Sequence, residues 1–92
     1  MFSARKIRKI ALEAERKKKE AYRKMLEKDI YESAKAGYGN ISRTYYSPND
    51  NLVLSEIKEV LKYFEKKGFI VKEYDKIREP YFEIRWAGAE ND

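Results

Sequence analysis

The chain has 92 residues, 40% of them charged and 14% aromatic, and its 21 Lys/Arg outweigh 16 Asp/Glu to give a net charge of +5. This length suffices for one hydrophobic core, and the aromatic content indicates a folded domain despite the high charge. Cysteine and histidine are absent, which excludes disulfides, thiolate metal sites, cysteine nucleophiles and the commonest general base. We expect a protein that is not an enzyme and needs no cofactor or metal.

The positive charge is confined to the first quarter of the chain. Residues 1–24 hold ten Lys/Arg against three Glu, a net charge of +7, whereas residues 25–92 hold eleven Lys/Arg against thirteen Asp/Glu, a net charge of −2. The first segment lacks the apolar region of a secretory signal, and its glutamates are unusual for a mitochondrial presequence. No apolar run in the chain is long enough to span a membrane. These observations favour a cytoplasmic protein.

A single long helix is predicted from about Ser3 to Ala36, because this stretch has no glycine or proline and consists mainly of strong helix formers. Its apolar residues form two stripes, separated by the polar run ERKKKE. The first stripe is narrow and the second is wide enough to pack on a sheet. Residues 1–24 are therefore predicted to be a basic, protruding part of the helix, and residues 25–87 a compact domain. The first stripe comprises Ile7, Ile10, Ala11 and Ala14, and the second comprises Tyr22, Met25, Leu26, Ile30 and Ala34.

Two glycines follow this helix in the sequence AKAGYGNIS, residues 34–42. A phosphate-binding loop needs the order strand, glycines, helix, because the anion binds at a helix N-terminus. Here the order is reversed. Gly37 is therefore predicted to end the helix in the left-handed conformation, and Gly39 to be a turn residue.

The later elements are predicted from alternating apolar residues, an amphipathic pattern and glycine stops. They are a strand over 40–46, a helix from Ser47 or Ser55 to Gly68, strands over 69–75 and 80–86, and a disordered tail over 88–92. This order predicts an α+β fold: a long N-terminal helix, then strand, helix and β-hairpin, with a three-stranded, mainly antiparallel sheet carrying both helices on one face. The predicted core is Leu26, Ile30, Ile41, Leu54, Ile57, Leu61, Phe64, Phe69, Val71, Phe82, Ile84 and Trp86.

Acidic residues of the hairpin could be a degenerate nuclease strip, since carboxylates on neighbouring strands can hold Mg²⁺. The acidic residues are Asp75 and Glu83, and Arg85 completes the set. Charged residues on the solvent face of a hairpin also prevent edge-to-edge aggregation. We prefer this second interpretation, because so short a chain has little room for a substrate pocket.

The basic, amphipathic start of the helix predicts an interaction surface. A protruding segment of this kind can lie in a groove of another protein or pair with its own copy, so a homodimer is an alternative. Tyrosines expected outside the core are typical of contact surfaces and are equally ordinary residues of a sheet. They are Tyr38, Tyr45, Tyr46, Tyr74 and Tyr81. The predicted partner-binding residues are Lys6, Ile7, Arg8, Lys9, Ile10, Arg43, Tyr45 and Tyr46.

A second hypothesis is that the basic segment binds phosphates of nucleic acid, with an affinity that falls as salt rises. Lys/Arg runs broken by Glu are also typical of a solvated helix, and they give no sequence-specific readout. The residues of this alternative are Arg5, Arg16, Lys17, Lys18, Lys19, Arg23 and Lys24.

Three stretches, IYESAKAGYGNIS, LSEIKEVLKYFEKKGFIVKEYD and YFEIRW, resemble a loose pattern of small phage-encoded accessory proteins. The pattern covers residues 30–86: a charged helix ends near Ala-Lys-x-Gly, and a helix-to-strand junction leads to a strand ending in Ile-x-Trp. The resemblance implies a non-enzymatic protein in the host cell cytoplasm. Such a protein would bind a host enzyme or a host defence system and would inhibit or redirect it by covering a functional surface. No family residue roles carry over.

Residues 55–86, a helix followed by a β-hairpin, also resemble the last helix and wing of a winged helix-turn-helix. A short helix over residues 48–52 would bring the order closer to that fold. The corresponding recognition helix, SEIKEVLKYFEKK, differs from that fold in its chemistry, because it has mixed charge and no Asn, Gln or Arg to read bases. This resemblance implies the nucleic-acid-binding alternative.

Overall fold

The computed structural model describes residues 3–45 and 52–88. Its elements are α1 (Ala4–Lys35), β1 (Asn40–Thr44), α2 (Leu54–Lys66), β2 (Ile70–Tyr74) and β3 (Tyr81–Arg85). The strands form one antiparallel sheet in the order β1-β3-β2. Helix α1 packs on β1 and on α2, and α2 packs on β2, so both helices cover the same face. The predicted α+β fold is confirmed. Ser47, the residues 48–51 of the predicted short helix and the tail after Gly88 lie outside the described residues, and Leu52 is not helical.

Helix α1 is capped at both ends. The Ser3 hydroxyl accepts a hydrogen bond from the Lys6 backbone N–H at 3.2 Å. At the other end, Gly37 has a φ of +92°, its N–H donates to the Ala34 carbonyl, and the Tyr38 N–H donates to the Ser33 carbonyl, both at 3.0 Å. These two bonds are the Schellman arrangement that ends many helices. The prediction for Gly37 is confirmed, and the glycines follow a carbonyl-rich helix end that repels phosphate.

Gly39 has a different reason to be glycine. Its φ is not positive, but a Cβ at this position would lie 2.7 Å from the Cβ of Ala87. The Gly39 carbonyl also accepts hydrogen bonds from the Trp86 and Ala87 N–H groups, at 3.0 and 3.2 Å. The chain end after β3 therefore lies directly against the bend that leads into β1, and a side chain at residue 39 would separate them.

Helix α2 begins at Leu54, so Ser55 is inside the helix and not at its cap. The Glu56 carboxylate accepts a hydrogen bond from the Val53 N–H at 3.0 Å, which is the acidic half of a capping box. The helix ends at Lys66, and Gly68 follows with a φ of +95° and the same bonding as at Gly37. Phe69 then packs edge-on against Phe64, with ring centroids 5.7 Å apart.

The core lies between the helices and the sheet. The register places Ile41, Ile84 and Val71 side by side on the three strands, on the face that the helices cover. Leu54 is the exception to the predicted core: it is the first residue of α2 and is 46% exposed. The buried residues are Tyr22, Leu26, Ile30, Ile41, Tyr45, Ile57, Val60, Leu61, Phe64, Phe82 and Ile84, with Phe69, Val71 and Trp86 partly buried against them.

Tyr45 was expected outside the core, and that prediction is wrong. It is only 3% exposed, because it lies on the same side of the β1 chain as Ile41. Its ring meets Phe82 edge-on at 5.5 Å, and its hydroxyl donates to Glu73 Oε1 at 2.7 Å. The apolar body of the ring is therefore buried while the polar tip reaches a carboxylate at the sheet edge.

Candidate interaction surface

The two helices lie side by side and run in the same direction. Lys19 Nζ is 2.8 Å from Glu59 Oε2, and Arg23 Nη1 is 3.3 Å from the Tyr63 hydroxyl, so the two helices stay in register along this contact. Because α2 begins at Leu54, the first three turns of α1 extend beyond it. Every residue from Ser3 to Ala14 is exposed. We call Ala4–Ala14 the arm and residues 15–35 the docked half.

The docked half begins earlier than the sequence predicted. The expected boundary between a protruding part and the compact domain was residue 24, but Tyr22 is already 4% exposed, and Lys19 already pairs with α2. The run ERKKKE looks polar on every side, yet one of its lysines and the tyrosine after it face α2 and the sheet. The first 24 residues therefore belong partly to the compact domain.

Most cations of the docked half are paired with glutamates of the same chain. Arg16 lies 3.2 Å from Glu13 and 3.5 Å from Glu20, and Lys24 lies 3.3 Å from Glu20. The hydrogen bond from Lys19 to Glu59 raises the pKa of the lysine and lowers the pKa of the glutamate. Four residues of the nucleic-acid alternative, Arg16, Lys19, Arg23 and Lys24, thus already have an acidic neighbour. Lys17 and Lys18 are exposed.

Arg23 is held by more than one partner. Its guanidinium lies 3.2 Å from Glu27 and 4.7 Å above the Tyr63 ring. The Tyr63 hydroxyl donates in turn to Glu27 Oε2 at 3.2 Å. This cluster fixes the docked half against α2, and it leaves the guanidinium little freedom to reach a phosphate.

The cations of the arm are arranged differently. Arg5, Lys6, Arg8 and Lys9 form no ion pair with any residue in the described ranges 3–45 and 52–88. The first turn of α1 contains no acidic residue. Positive charges at a helix N-terminus oppose the helix dipole, each by about 0.3–1 kcal/mol. The arm therefore carries positive charges that destabilise its own helix.

The arm is amphipathic. At about 100° per residue, its four cations occupy one half of the helix surface together with the exposed Leu12 and with Glu13, and Ile7, Ile10, Ala11 and Ala14 occupy the other. Ile7 is 44% exposed and Ile10 is 64% exposed. A basic amphipathic helix with an open apolar side is typical of a segment that binds another molecule.

The apolar side of the arm does not point in the direction of the core. Continued along α1, it leads to Ala21 and Met25, whereas the core contact uses Tyr22, Leu26 and Ile30. The two directions differ by roughly 120° around the helix axis. We call the exposed row the outer stripe, and it consists of Ile7, Ile10, Ala14, Ala21 and Met25. Next to it lies a shallow trough of 650 Å³, lined by Lys6, Lys9, Ile10, Glu13, Ala14 and Lys17.

The predicted partner-binding residues do not all share one surface. Arg43 forms an ion pair with Asp29 at 3.0 Å. Asp29 lies 19 residues after Ile10, which is roughly 28 Å along the helix. Tyr45 is buried, and Tyr46 lies outside the described residues. Only the five arm residues, Lys6 to Ile10, lie together.

Two further surfaces are present, of which only the aromatic groove was not predicted, because Tyr74 and Tyr81 were among the candidate contact tyrosines. An aromatic groove of 560 Å³ lies at the opposite end of the helices, lined by Ile30, Tyr31, Ala34, Phe69, Trp86 and others, and Trp86 Nε1 donates to the Tyr38 carbonyl at 2.9 Å nearby. On the uncovered face of the sheet, Tyr74 and Tyr81 stack with centroids 4.6 Å apart. The alternation in the strands could have indicated this pair, whereas the groove depends on how the two helices end beside β3.

The acidic residues of the hairpin do not converge. Asp75 accepts a hydrogen bond from Lys58 of α2 at 2.7 Å, which lowers the pKa of the aspartate. Glu83 lies on the opposite face of the sheet, 3.5 Å from Arg85. Within residues 3–45 and 52–88, no three acidic side chains come together as metal ligands would.

Comparisons with known protein families, with curated proteins and with solved structures found no match to this chain. The resemblances to phage accessory proteins and to winged helices therefore remain predictions. Across the described parts of the chain, no helix combines the length and the apolar character needed to cross a bilayer.

Proposed function

We propose that this protein is a non-enzymatic binding protein that contacts a partner protein through the arm and the outer stripe. One observation carries the proposal: three helical turns extend beyond the core with every residue exposed, and Ile7, Ile10, Ala11 and Ala14 lie together on the side opposite the four cations. Exposed apolar residues on such a segment are what a groove-binding helix presents.

The mode of action that fits this arrangement is occlusion. The docked half fixes the direction of the arm through Tyr22, Leu26 and Ile30, so the arm is already helical before it meets a partner. A preformed helix loses less conformational entropy on binding than a disordered segment. The protein would thus cover a functional surface of its partner and inhibit or redirect it.

The test is a comparison of two double variants in pull-downs from a lysate of the native cell. Ile7→Asp with Ile10→Asp places two charges on the apolar side of the arm. Ile70→Asp with Ile77→Asp makes the same chemical change at two exposed positions outside α1. We expect the control to retain a partner that the arm variant loses. Equal recovery of that partner by both variants would contradict the proposal.

Nucleic acid is the second candidate partner, and the unpaired cations of the arm favour it. Against it, the exposed side of α2 mixes Lys62 and Lys66 with Glu59 and Glu65, which is unlike a helix that reads bases. The alternative predicts binding to duplex DNA that weakens steeply with salt and survives Ile7→Asp with Ile10→Asp. Absence of binding at low salt would exclude it.

A further inference from the structure

The outer stripe extends well beyond the arm, into the docked half as far as Met25, which is 37% exposed. From Ile7 to Met25 it covers roughly 27 Å of helix. Its spacings of three, four and seven residues are those of a helix-packing seam. A surface this long and narrow is better suited to bind a second helix than to bind a compact ligand.

A second copy of the chain fits the stripe poorly. Lys17 and Lys18 lie between Ala14 and Ala21, on the two sides of the stripe. In a parallel pair, Lys17 of one copy would lie beside Lys18 of the other. In an antiparallel pair that covers the whole stripe, the four lysines would meet near the centre. Like charges opposed in this way are destabilising, so the occupant is a different molecule.

The charges beside the stripe indicate the chemistry of that molecule. By helical position, Lys6, Lys17, Lys24 and Lys28 follow one side, and Lys18 follows the other. Lys24 and Lys28 form exposed i,i+4 ion pairs with Glu20 and Glu32, at 3.3 and 3.9 Å. Such pairs are weak, so an incoming carboxylate can replace them at little cost.

We propose that the partner presents an acidic amphipathic helix, whose apolar seam packs along the outer stripe and whose Asp/Glu residues face this row of lysines. The proposal rests on the proposed function and specifies the class of partner. Ala14 and Ala21 let the two helix backbones approach closely at the centre, while Ile7, Ile10 and Met25 supply apolar contact towards the ends. The trough along Ile10 and Ala14 is where the partner's acidic flank would lie.

The test uses two synthetic three-heptad peptides and the full chain. Both peptides carry Ile and Leu at the seam positions, and they differ only in having Glu or Lys at the flanking positions. Binding is measured by fluorescence anisotropy at low salt and at about 0.5 M salt. We expect the Glu peptide to bind at least about tenfold more tightly than the Lys peptide, with this preference reduced at high salt.

Matched substitutions locate the binding site. Ile10→Asp should weaken binding of the Glu peptide by about tenfold or more, whereas Ile77→Asp, at an exposed position in the β2–β3 turn, should change it by less than about twofold. Circular dichroism shows whether each variant is folded. Sedimentation equilibrium of the chain without peptide shows whether it self-associates.

Four results would overturn the inference. These are no binding of the Glu peptide, equal binding of both peptides, binding unaffected by Ile10→Asp, or a dimer that Ile10→Asp dissociates. If duplex DNA bound the Ile10→Asp and Ile77→Asp variants equally well, the ligand would be nucleic-acid phosphate and not an acidic helix. If the Glu peptide fails while the arm-dependent pull-down succeeds, only the partner class is wrong. If both fail, the proposed function fails as well.

Discussion

The arm and the docked half belong to one uninterrupted helix, yet they differ in almost every other respect. The docked half buries Tyr22, Leu26 and Ile30 and pairs most of its cations with glutamates. The arm buries no residue, and its four cations form no ion pair with any residue that the structure describes. The two halves have similar helix propensities, so propensity does not account for the difference. It comes from what lies beside each half.

This difference explains how the arm can exist. An isolated helix of eleven residues is marginal in water, because starting a helix is costly. Here the docked half provides the nucleus, held by tertiary packing, and the arm needs only to extend it. Its residues are therefore released from any role in the core. Because the arm takes no part in folding the domain, its sequence can be suited to a partner.

The largest expected effect separates the two halves directly. Ile30 is 8% exposed and Ile10 is 64% exposed, and both lie in α1. Ile30→Ala removes buried contacts and leaves a cavity, so we expect it to lower the free energy of unfolding by about 2–5 kcal/mol. Ile10→Ala should change it by less than about 0.5 kcal/mol, since it removes an exposed side chain and alanine is the better helix former.

Urea denaturation followed by circular dichroism measures both values. Similar losses for the two variants would mean that the arm packs against residues outside the described ranges. That result would remove the distinction between arm and docked half on which the proposals depend.

Much of this distinction could be predicted from sequence, because it depends on local signals. The long helix follows from the absence of glycine and proline, its end from Gly37, and the two apolar stripes largely from their spacing. Met25 and Ala34 were assigned to the packing stripe and are exposed instead. The angle between the stripes is also fixed by sequence. The sequence does not indicate on which side of α1 the neighbouring elements lie. Lys19 was assigned to the protruding part for that reason, although it contacts α2. The boundary was placed at residue 24, although Tyr22 had been predicted to belong to the packing stripe.

Tyr45 illustrates the same limit on the sheet. Its period-2 position placed it on the side of Ile41, but a tyrosine beside Arg43 is equally typical of a contact surface. Its burial depends on α1 and Phe82, which lie far away in sequence. Leu54 shows the converse, because its apolar spacing predicted burial while its place at the first turn of α2 left it exposed.

A smaller effect is expected at Tyr45, beneath the docked half. Burial, followed by the hydrogen bond to Glu73, raises the pKa of Tyr45 above its usual value of 10.0. The neutral phenol is therefore favoured in the folded state. Its contribution to stability is complete below about pH 10 and is lost as pH rises towards the folded pKa. Tyr45→Phe should lower the free energy of unfolding by about 1 kcal/mol at neutral pH.

Above pH 10 the wild type should lose stability faster than Tyr45→Phe, so the gap between them should narrow. Thermal melts at neutral pH and above pH 10 measure this. Tyr38→Phe is the matched control, because Tyr38 is 68% exposed and should give no difference at either pH. A gap that stays constant with pH would mean that the Tyr45 hydroxyl is not buried as the structure places it.

The smallest structural effect concerns the first turn of the arm, where stability and binding should respond in opposite directions. Ser3 already accepts the Lys6 N–H, so Lys6→Glu would create a Ser-x-x-Glu capping box and would place a negative charge at the positive end of the helix dipole. We expect amide exchange in the arm to slow by roughly twofold to fivefold, which corresponds to about 0.5–1 kcal/mol. The same substitution should weaken binding of the acidic peptide, because Lys6 lies beside the outer stripe.

Two controls separate the cap from the charge. Lys6→Gln can also complete the capping box, so it should slow amide exchange without adding a negative charge, and it should weaken peptide binding less than Lys6→Glu. Arg8→Glu has the same change in net charge as Lys6→Glu but lies about 160° away around the helix, beyond the reach of the Ser3 cap. It should slow exchange little and should weaken binding less. If Lys6→Glu both stabilised the arm and left peptide binding unchanged, the lysine row would have no role in recognition. The unfavourable charge at the start of α1 would then need another explanation, because a helix selected only for its own stability would carry an acid at this position.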